Sequence, residues 1–199
     1  IRLKAAINKD TEVSQMLMKL VSFYRLSTKV YDSMVAVRKE VEMLDAYMSL
    51  MCYRYSDIIY RSEIEPGALD IEIPNFILQP LLENSLMHGL KDRRYQGTII
   101  LKIYRNEQDK NELNIWLIDD GIGIPDDKMA ELNAYNAKDS EALYRVQTRT
   151  EGDRTHLGVI NVISRLKLYY QENAEVIYMR NETGGTTVKI KIKTASEET

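Results

Sequence analysis

The spacing of apolar residues changes character near Pro66. No glycine or proline interrupts residues 1–57, and apolar side chains recur there at the spacing of an amphipathic helix. The stripe comprises Val13, Met16, Leu17, Leu20, Phe23 and Tyr24, then Val30, Met34, Val37, Val41, Leu44, Met48 and Met51. This pattern predicts a helix, or a pair of helices, over residues 1–60.

The polar side of this helical segment is charged. Its water-facing positions are predicted to be Lys29, Arg38, Lys39, Glu40 and Glu42. Periodicity alone supports two interpretations equally, a helix packed on its own domain and a helix that forms a dimer.

After Pro66, short stretches rich in β-branched residues alternate with helical ones. Strands are predicted at residues 71–73, 98–104, 114–118, 175–178 and 187–192, and helices at 76–88 and 157–170. Neighbouring strands at 98–118 and at 175–192 indicate hairpins. The mixture favours an α+β fold, a sandwich of one sheet covered by helices, over a doubly wound parallel sheet.

Residues 126–155 are polar and hold few large apolar side chains. A stretch of that length without a strong pattern is typical of a functional lid or of disorder.

Composition narrows the function classes. Apolar residues make up 44% and charged residues 29%, with a net charge of -3, so no basic surface for nucleic acid is indicated. A lone cysteine, Cys52, excludes an intramolecular disulfide, and His88 and His156 are too far apart in sequence to indicate zinc. The sequence contains no run of about 18 apolar residues, so no membrane-spanning segment is predicted. Since the chain begins with Ile1, we expect a piece of a longer protein.

The first segment whose residues could take part in ligand binding is 78–89, which reads LQPLLENSLMHG. Asn84 and His88 are one turn apart and share a helix face. An Asn side-chain oxygen suits Mg²⁺, which takes few protein ligands and keeps several waters. Taken alone, the segment fits better a helix end with solvated Asn84 and His88 and with Gly89 as the stop.

Two further segments follow strands or turns. Residues 116–125 read WLIDDGIGIP, where the Asp119 carboxylate can accept a hydrogen bond from the amino group of a base and the glycines allow close approach. An ordinary turn is equally compatible. Residues 155–166 read THLGVINVISRL, a turn into a helix N-terminus that can seat a phosphate. Alone, a helix start without a ligand is the better interpretation.

Together, in this order and spacing, the segments resemble the N, G1 and G2 boxes of the GHKL ATPase superfamily. The likeness is closest to sensor histidine kinases of the LytS/YesM type. Residues 73–89 resemble that family's "IPP-x-x-LQPLVENA-x-x-HG", 119–124 its "DNGxGI" and 158–166 its "GLxNVxxRL". Residues 184–187 are similar to its last glycine box, and 26–55 to the helix that links its dimerisation hairpin to the catalytic domain.

This resemblance implies an α/β-sandwich ATP-binding (Bergerat) domain at 61–199, preceded by a helical segment, 1–60, that ends a dimerisation hairpin. The intact protein would be a homodimeric sensor in the bacterial inner membrane, anchored through upstream segments, with this portion in the cytoplasm. It would pass the γ-phosphate of ATP to a histidine and then to a response regulator. The acceptor motif, similar to "NPHFLYN", does not occur here, so the chain should not phosphorylate itself.

The resemblance also implies roles for individual residues. Asn84 would ligate Mg²⁺, and Asp119 would hold the adenine amino group. Gly121 and Gly123 would give backbone access to the base, and Thr187 would close the adenine side. The remaining expected members of the nucleotide site are Gly158, Asn161, His88 and, as a candidate near the phosphates, Glu83, with 126–155 as the ATP lid.

Four positions depart from the family pattern. Asn75 replaces a second proline, Met87 a common lysine, Asp120 the usual Asn, and His156 the first glycine of the G2 box. The change at Met87 would remove a phosphate contact, and Asp120 would add a negative charge near the nucleotide.

Three functions are therefore compared. ATP hydrolases of the superfamily place a glutamate base one turn before the Mg²⁺-binding Asn, but that position is Pro80 here. Glu83, adjacent to Asn84, points about 100° around the helix. These residues favour a kinase over a hydrolase. A GHKL-type binding or scaffold module without kinase activity is the alternative that Met87 leaves open.

Overall fold

The computed structural model describes residues 16–18, 20–21, 33–138, 143 and 157–194. Its strands are β1 (Met34–Ala36), β2 (Ile58–Ile64), β3 (Glu72–Pro74), β4 (Gly97–Arg105), β5 (Glu112–Asp119), β6 (Ala174–Arg180) and β7 (Thr186–Lys193). Its longer helices are α1 (Val37–Arg54), α2 (Leu78–Asn84), α3 (Asp126–Ala134) and α4 (Leu157–Tyr170). A π-helical turn, Ser85–Leu90, continues α2 without a break.

One five-stranded sheet organises this part of the chain, in the order β2-β4-β5-β7-β6. Its neighbours are antiparallel except for the parallel pair β2 and β4. Alternate residues of each strand point to the same face, and one face, exemplified by Leu101, Ile115 and Ile190, joins α1, α2 and α4 in a single core. The predicted α+β sandwich is confirmed.

The strands predicted from the sequence all form, with small shifts at their ends, and the two hairpins pair as expected. Strands β1 and β2 were not predicted. Strand β1 lies within the segment predicted to be helical, so that prediction is wrong at Met34–Ala36, and β2 begins where the segment ends. Strand β1 is apolar throughout and β2 carries exposed Arg61 and Glu63, so neither shows a clean alternation of apolar and polar positions.

Helix α1 packs on its own domain. Val41, Leu44 and Met48 are buried in the same core as the sheet. The boundary predicted between residues 60 and 61 falls inside β2, so the end of the helical segment and the sheet form one folded unit. The dimer-forming role of the helical segment 1–60 remains a prediction.

The prediction that Glu40 faces water is wrong. Its side chain is 2% exposed, and its carboxylate lies against the start of α2. Helical periodicity assigns the charged Glu40 to the water-facing side of the helix. It cannot show that the backbone N–H groups of residues 76–78, far along the chain, need an acceptor there.

The polar segment that follows residue 125 begins as packed structure. Helix α3 and the turn after it cover the edge strand β6, where the side-chain amide of Asn133 pairs with the N–H and C=O of Tyr178 and that of Asn136 with those of Val176. Two short amides thus satisfy an edge that would otherwise be open. The expectation of disorder therefore fails for residues 126–138, whereas the role of 126–155 as an ATP lid remains a prediction. The rest of that segment, Leu143 excepted, lies outside the described residues.

Within the described ranges, no helix combines the length and the apolar character that crossing a membrane requires.

Candidate active site

A cavity of about 660 Å³ opens between α2 with its π-helical turn, α3, the start of α4 and strands β5 and β7. One wall is apolar, with Leu132, Val159 and Val188. Polar groups also line the cavity and include Asn84, Ser85, His88, Asp119, Lys91 and Thr186. An apolar cleft with a few convergent polar groups is the usual form of a cofactor site.

Asp119, at the end of β5, is the most constrained polar group of the cavity. Its side chain is 3% exposed. One carboxylate oxygen accepts from the Ser85 hydroxyl at 2.9 Å, and the other accepts from the backbone N–H groups of Gly121 at 3.0 Å and Thr186 at 3.2 Å. Burial raises the pKa of Asp119, and these donors oppose the rise. Each partner donates, which suits an ionised carboxylate.

The π-helical turn places Ser85 and Gly89 next to the Asp119 carboxylate. A π turn is wider than an α turn and often occurs at functional sites. Here it presents Ser85 to the carboxylate and carries Gly89 so close that a β-carbon built on it would lie 3.1 Å from Asp119 Oδ1. Asn84 and His88 line the cavity from the same helix, as the sequence predicted.

Glycines let the loop after β5 pass between two other backbones. A β-carbon on Gly121 would lie 2.5 Å from the carbonyl oxygen of Gly89, and one on Gly185 would lie 2.1 Å from that of Asp119. Ile122 N–H donates to the Gly89 carbonyl at 3.1 Å. Gly123 lines the cavity and has φ of 76°, whereas Gly121 serves backbone packing and is not among the residues that line the described cavity.

The extra carboxylate of Asp120 turns away from the cavity. It accepts from the Thr98 backbone N–H at 2.8 Å, and the Arg93 guanidinium lies 3.7 Å from it. Its charge is thus shared with a cation and a backbone donor, and Asp120 does not line the described cavity.

On β7 the lining residue is Thr186 rather than the predicted Thr187. Thr186 and Val188 face the cavity, so Thr187 between them lies on the opposite face of the strand. The buried positions Val188, Ile190 and Ile192 carry the same alternation, which is the signal that identifies Thr186.

Three other predicted residues lie outside the cavity lining of the described chain. Glu83 accepts from the Gln79 side-chain amide at 2.8 Å, and Asn161 is exposed on α4. Gly158 packs α4 against α2, since a β-carbon there would lie 3.5 Å from the β-carbon of Pro80. His156 falls outside the described residues.

Two lysines without a distinctive sequence signal line the cavity. Lys91 follows the π-helical turn, and Lys128 lies on α3. Lys128 Nζ is 3.1 Å from Glu131. Met87, where the family pattern has a lysine, also lines the cavity, and its sulfur lies 3.8 Å from the Tyr95 hydroxyl. Positively charged side chains therefore line the cavity even though Met87 stands in place of the family's lysine.

Comparison with known proteins agrees with this geometry. The family model described as "Histidine kinase-, DNA gyrase B-, and HSP90-like ATPase" matches residues 70–196. The chain belongs to this ATPase family. A second model, described as "Histidine kinase", matches residues 1–59. The chain is accordingly a histidine kinase ATP-binding domain with part of the region before it.

Sensor proteins are among its relatives. Sensor protein LytS of Oceanobacillus iheyensis is 33% identical over 87% of this chain and 28% of its own length. The sensor histidine kinase YpdA of Escherichia coli is 25% identical over 94% of this chain and 29% of its own length. The ATP-binding domain described here therefore spans less than a third of these relatives.

Solved structures share the fold. The histidine kinase domain of the blue-light activated histidine kinase EL346 from Erythrobacter litoralis superposes with a TM-score of 0.52 at 17% identity, over 92% of this chain and 74% of that one. The mycobacterial sensor histidine kinase MprB gives a TM-score of 0.53 at 14% identity, over 82% and 97%.

Replacing Gly121 by Ala tests the close backbone packing of this ATP-binding domain. We expect the added methyl group to push the Asp119 loop from Gly89 and to lower the free energy of unfolding by about 1–3 kcal/mol, measured by urea denaturation. Gly67→Ala is the matched control, because its β-carbon would meet nothing closer than 3.6 Å. Equal stability of the two variants would contradict the packing described.

Proposed function

We propose that the chain binds Mg²⁺–ATP in this cavity and presents the γ-phosphate to a histidine that lies upstream of Ile1 in the whole protein. The observation that carries the proposal is the buried Asp119 carboxylate, held by donors and facing a cavity that also contains lysines. Family membership supplies the expectation of ATP. Transfer from the upstream histidine to a response regulator, homodimer formation and membrane anchoring belong to the same proposal, by analogy with the sensor relatives.

Asp119 suits the recognition of an amino group on the base. An ionised carboxylate has about four acceptor positions, and Ser85, Gly121 and Thr186 occupy three of them. The remaining capacity faces the cavity, where a purine amino group can donate to it. Apolar residues such as Val159 and Val188 provide the surface against which a flat base packs.

Other residues that line the cavity suit phosphates and their metal. Lys91 and Lys128 offer ammonium groups, and the Asn84 side-chain oxygen is a neutral ligand for Mg²⁺. No group of three or more His, Cys, Asp or Glu side chains within the described ranges could hold a metal ion. This donor set fits a cation held mainly by phosphate oxygens and water, with Asn84 as a protein ligand.

The cavity favours phosphoryl transfer over hydrolysis. Bound ATP supplies the phosphoryl group, and the protein contributes positioning and charge neutralisation. A hydrolase needs a base to activate water, and the position one turn before Asn84 is Pro80. Glu83 is engaged with Gln79 outside the described cavity lining. The carboxylates that line the described cavity are Asp119, already held by donors, and Asp92 beyond the π-helical turn.

Replacing Asp119 by Asn tests the recognition of the base. The variant keeps an acceptor for the backbone N–H groups but directs an amide donor toward the cavity, so we expect affinity for ATP to fall at least about tenfold, measured by nucleotide titration. Asp120→Asn is the matched control one residue along, and its affinity should stay within about twofold. Equal losses, or no loss in Asp119→Asn, would refute the assignment.

The Asp119 carboxylate should make the affinity for ATP depend on pH. Because burial raises the pKa of Asp119, the acceptor is lost as pH falls through a range above that of an ordinary aspartate. Affinity for ATP should therefore decrease on acidification in the wild type, and Asp119→Asn should flatten this decrease.

Replacing Asn84 by Ala tests the metal assignment. We expect Mg²⁺ to strengthen ATP binding in the wild type but to have at most a small effect in the variant, while affinity for adenosine is unchanged in both. Isothermal titration with and without Mg²⁺ measures this difference. Mg²⁺ dependence that survives the substitution would exclude Asn84 as the ligand. Absence of ATP binding by the wild type would favour a scaffold module without kinase activity.

A further inference from the structure

Glu40 is a buried carboxylate that nucleotide binding, as proposed above, does not use. It lies on α1 with 2% of its side chain exposed. Its oxygens accept from the backbone N–H groups of Phe76 at 2.7 Å, Ile77 at 3.2 Å and Leu78 at 3.2 Å. Leu78 is the first residue of α2, so a side chain from one helix caps the beginning of another.

Helix α2 depends on this external cap for reasons of its own sequence. With the π-helical turn that continues it, the helix spans residues 78–90, and a helix of about that length is marginal by itself. No side chain at its own N-terminus caps it. The carboxylate of Glu40 therefore provides the acceptors for backbone donors that would otherwise be buried without a partner.

Helix α4 also contacts the residues just before α2, which are Asn75 and Phe76. Arg165 on α4 donates to the backbone carbonyl of Asn75 at 2.5 Å and to its side-chain oxygen at 2.9 Å. The guanidinium also lies 5.9 Å from the centre of the Phe76 ring. Phe76 has φ of 55°, a left-handed conformation that is unfavourable in a residue other than glycine. Glu40 and Arg165 hold it in place.

The chain that enters α1 is joined to this junction by backbone hydrogen bonds. Strand β1 pairs with β3, and Val37 N–H donates to the Ile71 carbonyl at 2.9 Å. Asn75 N–H donates to the Ser33 carbonyl at 3.2 Å. Ser33, β1 and the start of α1 are thus connected to the residues just before α2 through a short, continuous set of hydrogen bonds.

We propose that Glu40 is a positioning residue that couples α1 to the nucleotide site: by capping α2 it sets the place of Asn84, so displacement of α1 changes affinity for Mg²⁺–ATP. This inference rests on the proposed function of the cavity. By reciprocity, nucleotide bound at Asn84 stabilises the contact between Glu40 and the start of α2.

The test uses the 199-residue chain, with Glu40→Ala, Glu40→Gln and, as the matched control, Glu42→Ala, whose side chain is exposed on the same helix. We expect Glu40→Ala to weaken Mg²⁺–ATP binding fivefold or more and to change adenosine binding less than twofold. Glu40→Gln, which keeps an acceptor oxygen, should restore part of the affinity. In an Asn84→Ala background the effect of Glu40→Ala should largely disappear, because both substitutions act on the same contact.

Amide hydrogen exchange separates positioning from stability alone. In Glu40→Ala, we expect faster exchange at residues 76–78 that extends through residue 84. In the wild type, Mg²⁺–ATP should slow exchange at residues 76–78, a measurement that stands even where the variants do not fold.

Two results would overturn the coupling: lowered stability of Glu40→Ala with unchanged Mg²⁺–ATP affinity, or wild-type exchange at residues 76–78 that ignores bound nucleotide. Failure of the wild type to bind Mg²⁺–ATP would instead refute the proposed function.

Discussion

The carboxylate of Asp119 is buried at the end of the central strand β5, and the structure around it is arranged to supply donors. An isolated buried carboxylate is strongly unfavourable. Ser85, Gly121 and Thr186 come from three separate elements, so the π-helical turn, the loop after β5 and the start of β7 must meet at this point. The close backbone contacts at Gly89, Gly121 and Gly185 are the steric condition for that meeting. The group that assembles the site is also the group proposed to recognise the base.

Helix α2 is held at both ends by carboxylates from elsewhere in the chain. Glu40 caps its beginning, and Asp119 accepts from Ser85 where its π-helical continuation starts. Asn84 lies between these anchors and lines the cavity. A helix this short has little stability of its own, so its position depends on its anchors. This makes the place of Asn84 sensitive to α1, which connects the site to the upstream region.

Much of the fold was predictable because β-branched strands and glycine-spaced turns carry local signals. The hairpins β4–β5 and β6–β7 and the sandwich class follow from such signals. Strand β2 did not, since its parallel pairing with β4 is a non-local contact and exposed Arg61 and Glu63 obscure its pattern. The burial of Glu40 was also invisible, because the donors it serves are far along the chain.

Within the site, four residues that the motifs selected line the cavity: Asn84, His88, Asp119 and Gly123. The prediction of Thr187 rather than Thr186 overlooked a pattern in the sequence of β7. Thr186 is in step with the alternate apolar residues Val188, Ile190 and Ile192, so it shares their face of the strand. Glu83, named as a candidate near the phosphates, is not among the residues that line the described cavity and instead accepts from Gln79. Lys91 and Lys128 required the fold itself, because a lysine near a turn or on a polar helix has no distinctive pattern.

The central claim is that a negatively charged acceptor, Asp119, reads an amino group on the base. The most direct measurement compares the affinity of the wild-type chain for ATP and for inosine triphosphate, which carries an oxygen in place of the amino group. The account predicts that inosine triphosphate binds at least about tenfold more weakly, because an acceptor then faces an acceptor in a buried setting. Equal affinity for the two nucleotides would contradict it.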